Sequence, residues 1–403
     1  MTLIAESRIA RAAGALLAAG AILSAATACG ADVSGHPVRQ ASDASALDVG
    51  NYPIKPRVVP HAKTLKQART REAQRLADFV ALPSEADPAY TDDDIGLSQH
   101  LVLNQKGMGK LVINDTFDDV AKDLVAGWQT AMATKSDPNG QTKQLHMAVL
   151  EFPSAAIAAD VGPTLEHDDF TYNVDNVAVG LPNHPDGKAH WRPAISSIGS
   201  WTVHDRYVVF IKLVDDTTAP DLPALVSQTE HMIDTELPLL DKFTPTPSDQ
   251  IMNIDMDPDG LLGRTLPTNP DFPLRADPDG VYTGRGATSG MQSGDLDFLK
   301  TGDLDLIAFG DGGVFRSRTA KGALALWQDD QPSTHLTSTQ RMDDPPKGLN
   351  ARIECYSDLT EQGATIMNLC VMQVDRYLVQ TAAKNVQDLY QKTAAQYILL
   401  TAA

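Results

Sequence analysis

Cys29 closes the run Ala26-Thr27-Ala28-Cys29-Gly30, in which small residues precede a thiol. A thiol so placed can take a diacylglyceryl group and become the mature N-terminus, as in the bacterial lipobox, although Ala26 stands where a larger aliphatic residue is usual. The other reading is ordinary cleavage after Ala-Thr-Ala, which leaves Cys29 free. Upstream, Arg8 and Arg11 form a basic n-region, and from Ala12 to Ala28 the only polar side chains are Ser24 and Thr27. That stretch reads as a signal-peptide core too short and too Ala-rich for a permanent span. A lone exposed cysteine is rarely left unpaired in an exported chain, so the spacing favours lipidation at Cys29.

Cys355 and Cys370 are then the remaining thiols of three. An oxidising compartment and an even remainder predict a disulfide between them. They are equidistant from Gln362-Gly363, so a hairpin with a two-residue turn there sets them opposite one another, on a hydrogen-bonded pair about 5.5 Å apart at Cα. The alternative is a pair of buried free thiols.

Asp255-x-Asp257-x-Asp259-Gly260 matches the first half of a calcium loop, with alternate carboxylates and a glycine for the sharp turn. The twelfth position, normally a bidentate Glu, is Leu266, and Pro258 stiffens the loop. Asp255, Asp257 and Asp259 are therefore weak metal candidates, and a solvated acidic linker is the preferred reading. Asp277-x-Asp279-Gly280 is weaker still. Glu166-His167-Asp168-Asp169 could offer ligands to a metal, but adjacent residues seldom converge on one ion, so an exposed polar loop is expected. The ten histidines show no zinc spacing, with His184 and His190 on either side of a Pro-Asp-Gly turn. There is no Gly-x-Ser-x-Gly elbow, and Gly284-x-Gly286 and Gly310-Asp311-Gly312-Gly313 lack nucleotide-loop spacing and read as turns. Trp191 and Trp201 could line a ligand site, though core packing is the commoner fate of such residues. No catalytic residue and no cofactor is predicted.

The elements that must carry these residues follow from pattern. Leu65, Ala68, Leu76 and Val80 predict a helix over 65–80, ended by Pro83. Phe117, Val120, Leu124, Trp128 and Ala131 predict a second over 116–133, with Asp115 as candidate N-cap. Strands are expected over 145–152, 198–204 and 207–214, a short helix after Pro153-Ser154, and a longer helix over 222–243. Thr244-Pro245-Thr246-Pro247-Ser248 reads as a linker. The order then replays: strands over 305–309 and 314–317, a helix over 319–329, a hairpin of 351–356 with 365–374, a strand over 377–382 and a helix over 386–400. Locally, His204-Asp205-Arg206-Tyr207-Val208-Val209 matches Val374-Asp375-Arg376-Tyr377-Leu378-Val379. Chance and internal duplication both account for that likeness.

The fold class predicted is α+β, as two similar antiparallel-sheet-plus-helix domains: signal peptide 1–28, flexible stalk 29–50, first domain 51–243, linker 244–260 and second domain 261–403. With 403 residues and a net charge of −19, the chain is a poor candidate for binding nucleic acid. Anionic headgroups would repel it as well, so tethering falls to acyl chains on Cys29.

Leu47-Asp48-Val49-Gly50-Asn51-Tyr52-Pro53-Ile54-Lys55-Pro56-Arg57, Glu72-Ala73-Gln74-Arg75-Leu76-Ala77-Asp78, Asp257-Pro258-Asp259-Gly260-Leu261-Leu262-Gly263-Arg264-Thr265-Leu266-Pro267 and Ala394-Ala395-Gln396-Tyr397-Ile398-Leu399-Leu400 resemble the uncharacterised lipoproteins of mycobacteria, nocardiae and rhodococci grouped as the DUF7373 family. The resemblance implies a cell-envelope location and a two-part architecture, and supplies no activity or functional residues. The expected protein is a non-enzymatic binding protein, held at the outer face of the plasma membrane, whose partner is an envelope protein, lipid or glycan. The alternative is an envelope hydrolase whose catalytic residues, with a Ser or Asp against a His, meet only in three dimensions.

Overall fold

The computed structural model describes residues 46–92, 99–109, 111, 116–271, 273, 275–290 and 296–401. Cys29, the signal peptide and Asp115 lie outside them. The first sheet contains β1 (Tyr90–Asp92), β2 (Gln99–Leu101), β3 (Ala126–Thr134), β4 (Lys143–Glu151), β5 (Val177–Val179), β6 (Lys188–Arg192), β7 (Ser197–His204) and β8 (Tyr207–Asp215). The second contains β9 (Gly280–Tyr282), β10 (Leu304–Gly310), β11 (Gly312–Ser317), β12 (Gln340–Asp343), β13 (Arg352–Leu359), β14 (Thr365–Val374) and β15 (Tyr377–Ala383). The longer helices are α1 (Leu65–Leu76), α2 (Ala155–Tyr172), α3 (Leu222–Leu240), α4 (Ala320–Asp329) and α5 (Val386–Thr401).

The two sheets share one topology. The path β3-β4-β8-β7-β6-β5 in the first is matched strand for strand by β10-β11-β15-β14-β13-β12 in the second, all antiparallel. Along the chain, helices α2 and α4 follow β4 and β11, and α3 and α5 follow β8 and β15. Alternation along β8 sends Val208 and Phe210 toward α2, and Val209, Ile211 and Leu213 toward α3, as a pleated strand requires. The largest core lies between the halves, where Trp128 packs on Tyr282 and Tyr282 on Phe309, at 5.9 and 5.6 Å between ring centroids.

Three expectations need revision. The segment 116–133 is not one helix: a single turn, Phe117–Val120, is followed by strand β3. Strand β3 is buried along both faces, and an apolar run buried all round carries apolar residues at helical spacing as readily as at any other. The end of the presumed stalk is docked. Leu47 and Val49 pack on the core of the second half, and the Asp48 carboxylate accepts from Gln387 and Gln391 of α5. The 244–248 linker also lies against α1, because the buried Glu72 carboxylate accepts from the Thr246 backbone N–H at 2.6 Å and from Arg75 at 2.6 Å.

Cys355 and Cys370 are joined in a disulfide, with Cα atoms 4.1 Å apart. They pair across the ladder as the spacing predicts, but at the closer separation of a non-hydrogen-bonded pair. The turn explains this. It has three residues, closed by Thr360 N–H to the Ala364 carbonyl at 2.8 Å with Gly363 at φ 81°, and Ile366 is the extra residue that restores the pairing.

Candidate functional site

A small cleft opens at the C-terminal end of α2, over the face of the first sheet. Ser154 starts that helix by accepting from the Ile157 N–H at 3.3 Å. Asn176 ends it by donating to the Asp169 and Phe170 carbonyls at 3.2 and 2.9 Å. At Gly162 an added Cβ would sit 2.5 Å from Val203, so glycine there lets the helix lie close on the sheet.

The cleft, about 40 Å³, is lined among others by Asp169, His190, Arg192, Gly199, Phe210 and Lys212. That space holds a few waters or a single acid group. Asp169 projects from the last turn of α2, accepts from Trp201 Nε1–H at 2.9 Å and lies 3.6 Å from His190 Nε2. His190 is 7% exposed, and its Nδ1 has no hydrogen-bond partner. Gly199 is opposite His190 on β7. A Cβ at Gly199 would come within 3.2 Å of His190 Nε2, so this glycine keeps the floor open. Arg192 and Lys212 reach in from β6 and β8, and neither makes an ion pair or side-chain hydrogen bond among the described residues.

Burial dominates the electrostatics. It raises the Asp169 carboxyl, against the opposing Trp201 hydrogen bond and nearby His190. It lowers His190, despite Asp169 pulling the other way, and the Arg192 and Lys212 charges lower it further. Lys212 is also lowered by burial. His190 is therefore neutral at pH 7, able to donate from one nitrogen and accept at the other. The resulting cleft holds more positive than negative charge in a strongly acidic chain.

The residues singled out in sequence are placed variously. Glu166-His167-Asp168-Asp169 is the end of α2 and not a loop; Asp168 accepts from Thr116 at 2.5 Å, while Asp169 enters the cleft. His184 pairs with Asp234 at 2.9 Å, away from His190. Trp201 stacks on Phe210 at 4.5 Å and orients Asp169, whereas Trp191 packs on the main core. Asp255, Asp257 and Asp259 diverge. Asp257 accepts from the Leu262 and Gly263 N–H groups, Asp259 pairs with Arg316 at 3.0 Å, and Asp255 accepts from the Asp257 N–H. Sequence reasoning missed Arg192, Gly199 and Lys212. A signal was present, since Val208, Phe210 and Lys212 share one face of β8 and a cation there interrupts an apolar stripe.

No curated protein matches this chain. A solved structure to which it is similar is the extracellular domain of PknH from Mycobacterium tuberculosis, at 13% identity and a TM-score of 0.27, covering 42% of this chain and 97% of that one. The N-terminal domain of unknown function DUF7373 matches residues 59–256, and the C-terminal domain of the same description matches residues 261–403. With both domains matched in order, the chain belongs to the DUF7373 family.

Proposed function

We propose that this protein is an exported, lipid-anchored binding protein of the cell envelope, tethered through Cys29 and holding its ligand in the α2 cleft without transforming it. The observation that carries the binding reading is the pair Arg192 and Lys212, which face an open cleft without an ion-pair partner among the described residues. Partly buried cations are normally paired, so an unpaired couple favours an external partner. Anchoring rests on the small-residue run before Cys29, and the Cys355–Cys370 disulfide supports an oxidising compartment. Among the described residues no helix is long and apolar enough to cross a membrane. Mass spectrometry of the mature N-terminus, with fractionation of wild type and Cys29→Ala, tests the anchor. A diacylated cysteine and loss of the substituted protein from membranes are expected; an unmodified Cys29 with unchanged location contradicts it.

The second reading is a hydrolase, favoured by the approach of Asp169 to His190. Against it, no hydroxyl is hydrogen-bonded to either His190 nitrogen among the described residues, and the nearest acceptor of the dyad is already held by Trp201. Turnover of an ester or phosphoester that His190→Ala abolishes would establish this reading in place of the first.

A further inference from the structure

We infer that the cleft of the first half is a site for an oxyanion, a carboxylate or phosphate group on a small ligand, and that the second half does not share it. This rests on the binding reading above and names its ligand chemistry.

The repeated topology supplies an internal comparison. The Tyr207 and Tyr377 ends of β8 and β15 are equivalent, since Tyr207 pairs with Glu151 and His204 as Tyr377 pairs with Arg316 and Val374. Counting along the registers, Lys212 corresponds to Ala382, Gly199 to Leu369, His190 to Tyr356 and Arg192 to Asp358. Every feature that makes the cleft is replaced. The two cations give way to a methyl group and a carboxylate, and the glycine that leaves the floor open gives way to leucine. Helix α4 also ends at Asp329, while α2 runs to Tyr172, so the second half lacks the extra turns that carry Asp169. The same scaffold thus presents a leucine and a carboxylate at these positions in one copy, and an open floor with two cations in the other.

The donor set fits an oxyanion. Arg192 offers a planar fork suited to two oxygens of a carboxylate or phosphate, and Lys212 a point charge. His190, nine-tenths buried and with an unpartnered Nδ1, adds a neutral imidazole on the same floor. Asp169 is the one opposing charge lining the cleft among the described residues. Its bond to Trp201 keeps it in place, and it makes a distinctive prediction: removing its charge should strengthen anion binding.

The test uses the full chain carrying Cys29→Ala, titrated with sodium phosphate and, separately, sodium acetate at constant ionic strength in chloride. Calorimetry and tryptophan fluorescence both serve as readouts, because Trp201 borders the site. A saturable response is expected, weakened at least tenfold by Arg192→Met and by Lys212→Met, abolished by Gly199→Leu and strengthened severalfold by Asp169→Asn. Circular dichroism confirms folding, and Lys212→Met keeps the test decisive if Gly199→Leu does not fold. Vesicles containing phosphatidylglycerol form a parallel arm. Binding to them that Arg192→Met abolishes assigns the anion to a lipid headgroup, and a response to soluble anions alone assigns it to a free acid. No saturable response to any of the three, or responses unchanged in both cation variants, would overturn the inference. The anchor is read independently by the Cys29 fractionation, so either conclusion can fail alone.

Discussion

Asp205 and Asp375 hold the same left-handed corner in the two halves, at φ 48° and 49°. Each is followed by an arginine whose carbonyl accepts a backbone N–H from the neighbouring strand: Phe152 to Arg206 and Ser317 to Arg376, both at 2.9 Å. Two residues beyond each of those donors stands a helix N-cap, Ser154 in one half and Thr319 in the other. Short polar side chains tolerate this backbone, and β-branched ones do not. Asp205→Val or Asp375→Val should cost about 1–2 kcal/mol, whereas Asp→Gly at either position should change stability by less than about 1 kcal/mol. Denaturant midpoints measured for the four variants check this, and equal costs for Val and Gly would contradict it.

The disulfide closes a loop with a sequence separation of 15, for which the chain-entropy model gives about 3 kcal/mol. Both cysteines are buried, so replacing the pair with alanines should lower stability by an amount of that order. Alkylation of the denatured, unreduced protein should find neither Cys355 nor Cys370 reactive. Two reactive thiols at these positions would refute the bridge.

Glu236 lies wholly buried on α3, accepts from the Ala81 N–H at 2.7 Å, and has its other oxygen unpartnered. Burial pushes its carboxyl up to about 8, opposed by the Ala81 hydrogen bond and Arg285. The folded state therefore holds a proton that the unfolded state releases near pH 4.5. The stabilisation is complete below that pH and is lost as pH rises toward 8, with a slope of at most about 1.4 kcal/mol per unit. Glu151 on β4, pushed up to about 8 by burial and by Glu72, acts in the same direction. Glu236→Gln should flatten part of the decline between pH 5 and 8 and raise the thermal midpoint at pH 8. A midpoint that rises over this range in wild type would show the opposite linkage.

Asp257 serves the fold through its two oxygens, which accept from the Leu262 and Gly263 N–H groups at 2.9 and 2.7 Å. Asp257→Ala leaves those donors without their charged acceptor and should cost about 1.5–3 kcal/mol. Added calcium should leave the thermal midpoint of the wild type unchanged. A calcium-dependent rise that Asp257→Ala removes would restore a metal role to this segment.

The recurrence of strand, corner, strand and helix was legible because local chemistry specifies it: Asp-Arg at the corner, Asp221 or Asn385 before the helix that closes each unit, and apolar alternation along β8 and β15. The Cys355–Cys370 pairing was legible for the same reason, since a hairpin register follows from its turn. Strand β3 was misread because burial on both faces erases the period of two that marks a strand. The cleft was hidden for a different reason. Asp169, His190, Gly199 and Lys212 come from one helix and three strands, and only the pairing of His190 with Gly199 and of Gly199 with Lys212 brings them together. No local spacing encodes those contacts, and the linear sequence shows only a lysine out of place on an apolar face.

The most direct measurement is the identity of small molecules retained by the protein when it is purified from its own host, compared by mass spectrometry between wild type and Gly199→Leu. Leucine at this position copies Leu369 of the second half and fills the floor beside His190. The account predicts an acidic molecule carried by the wild type and absent from a folded Gly199→Leu protein. The same molecules retained by both proteins would contradict it.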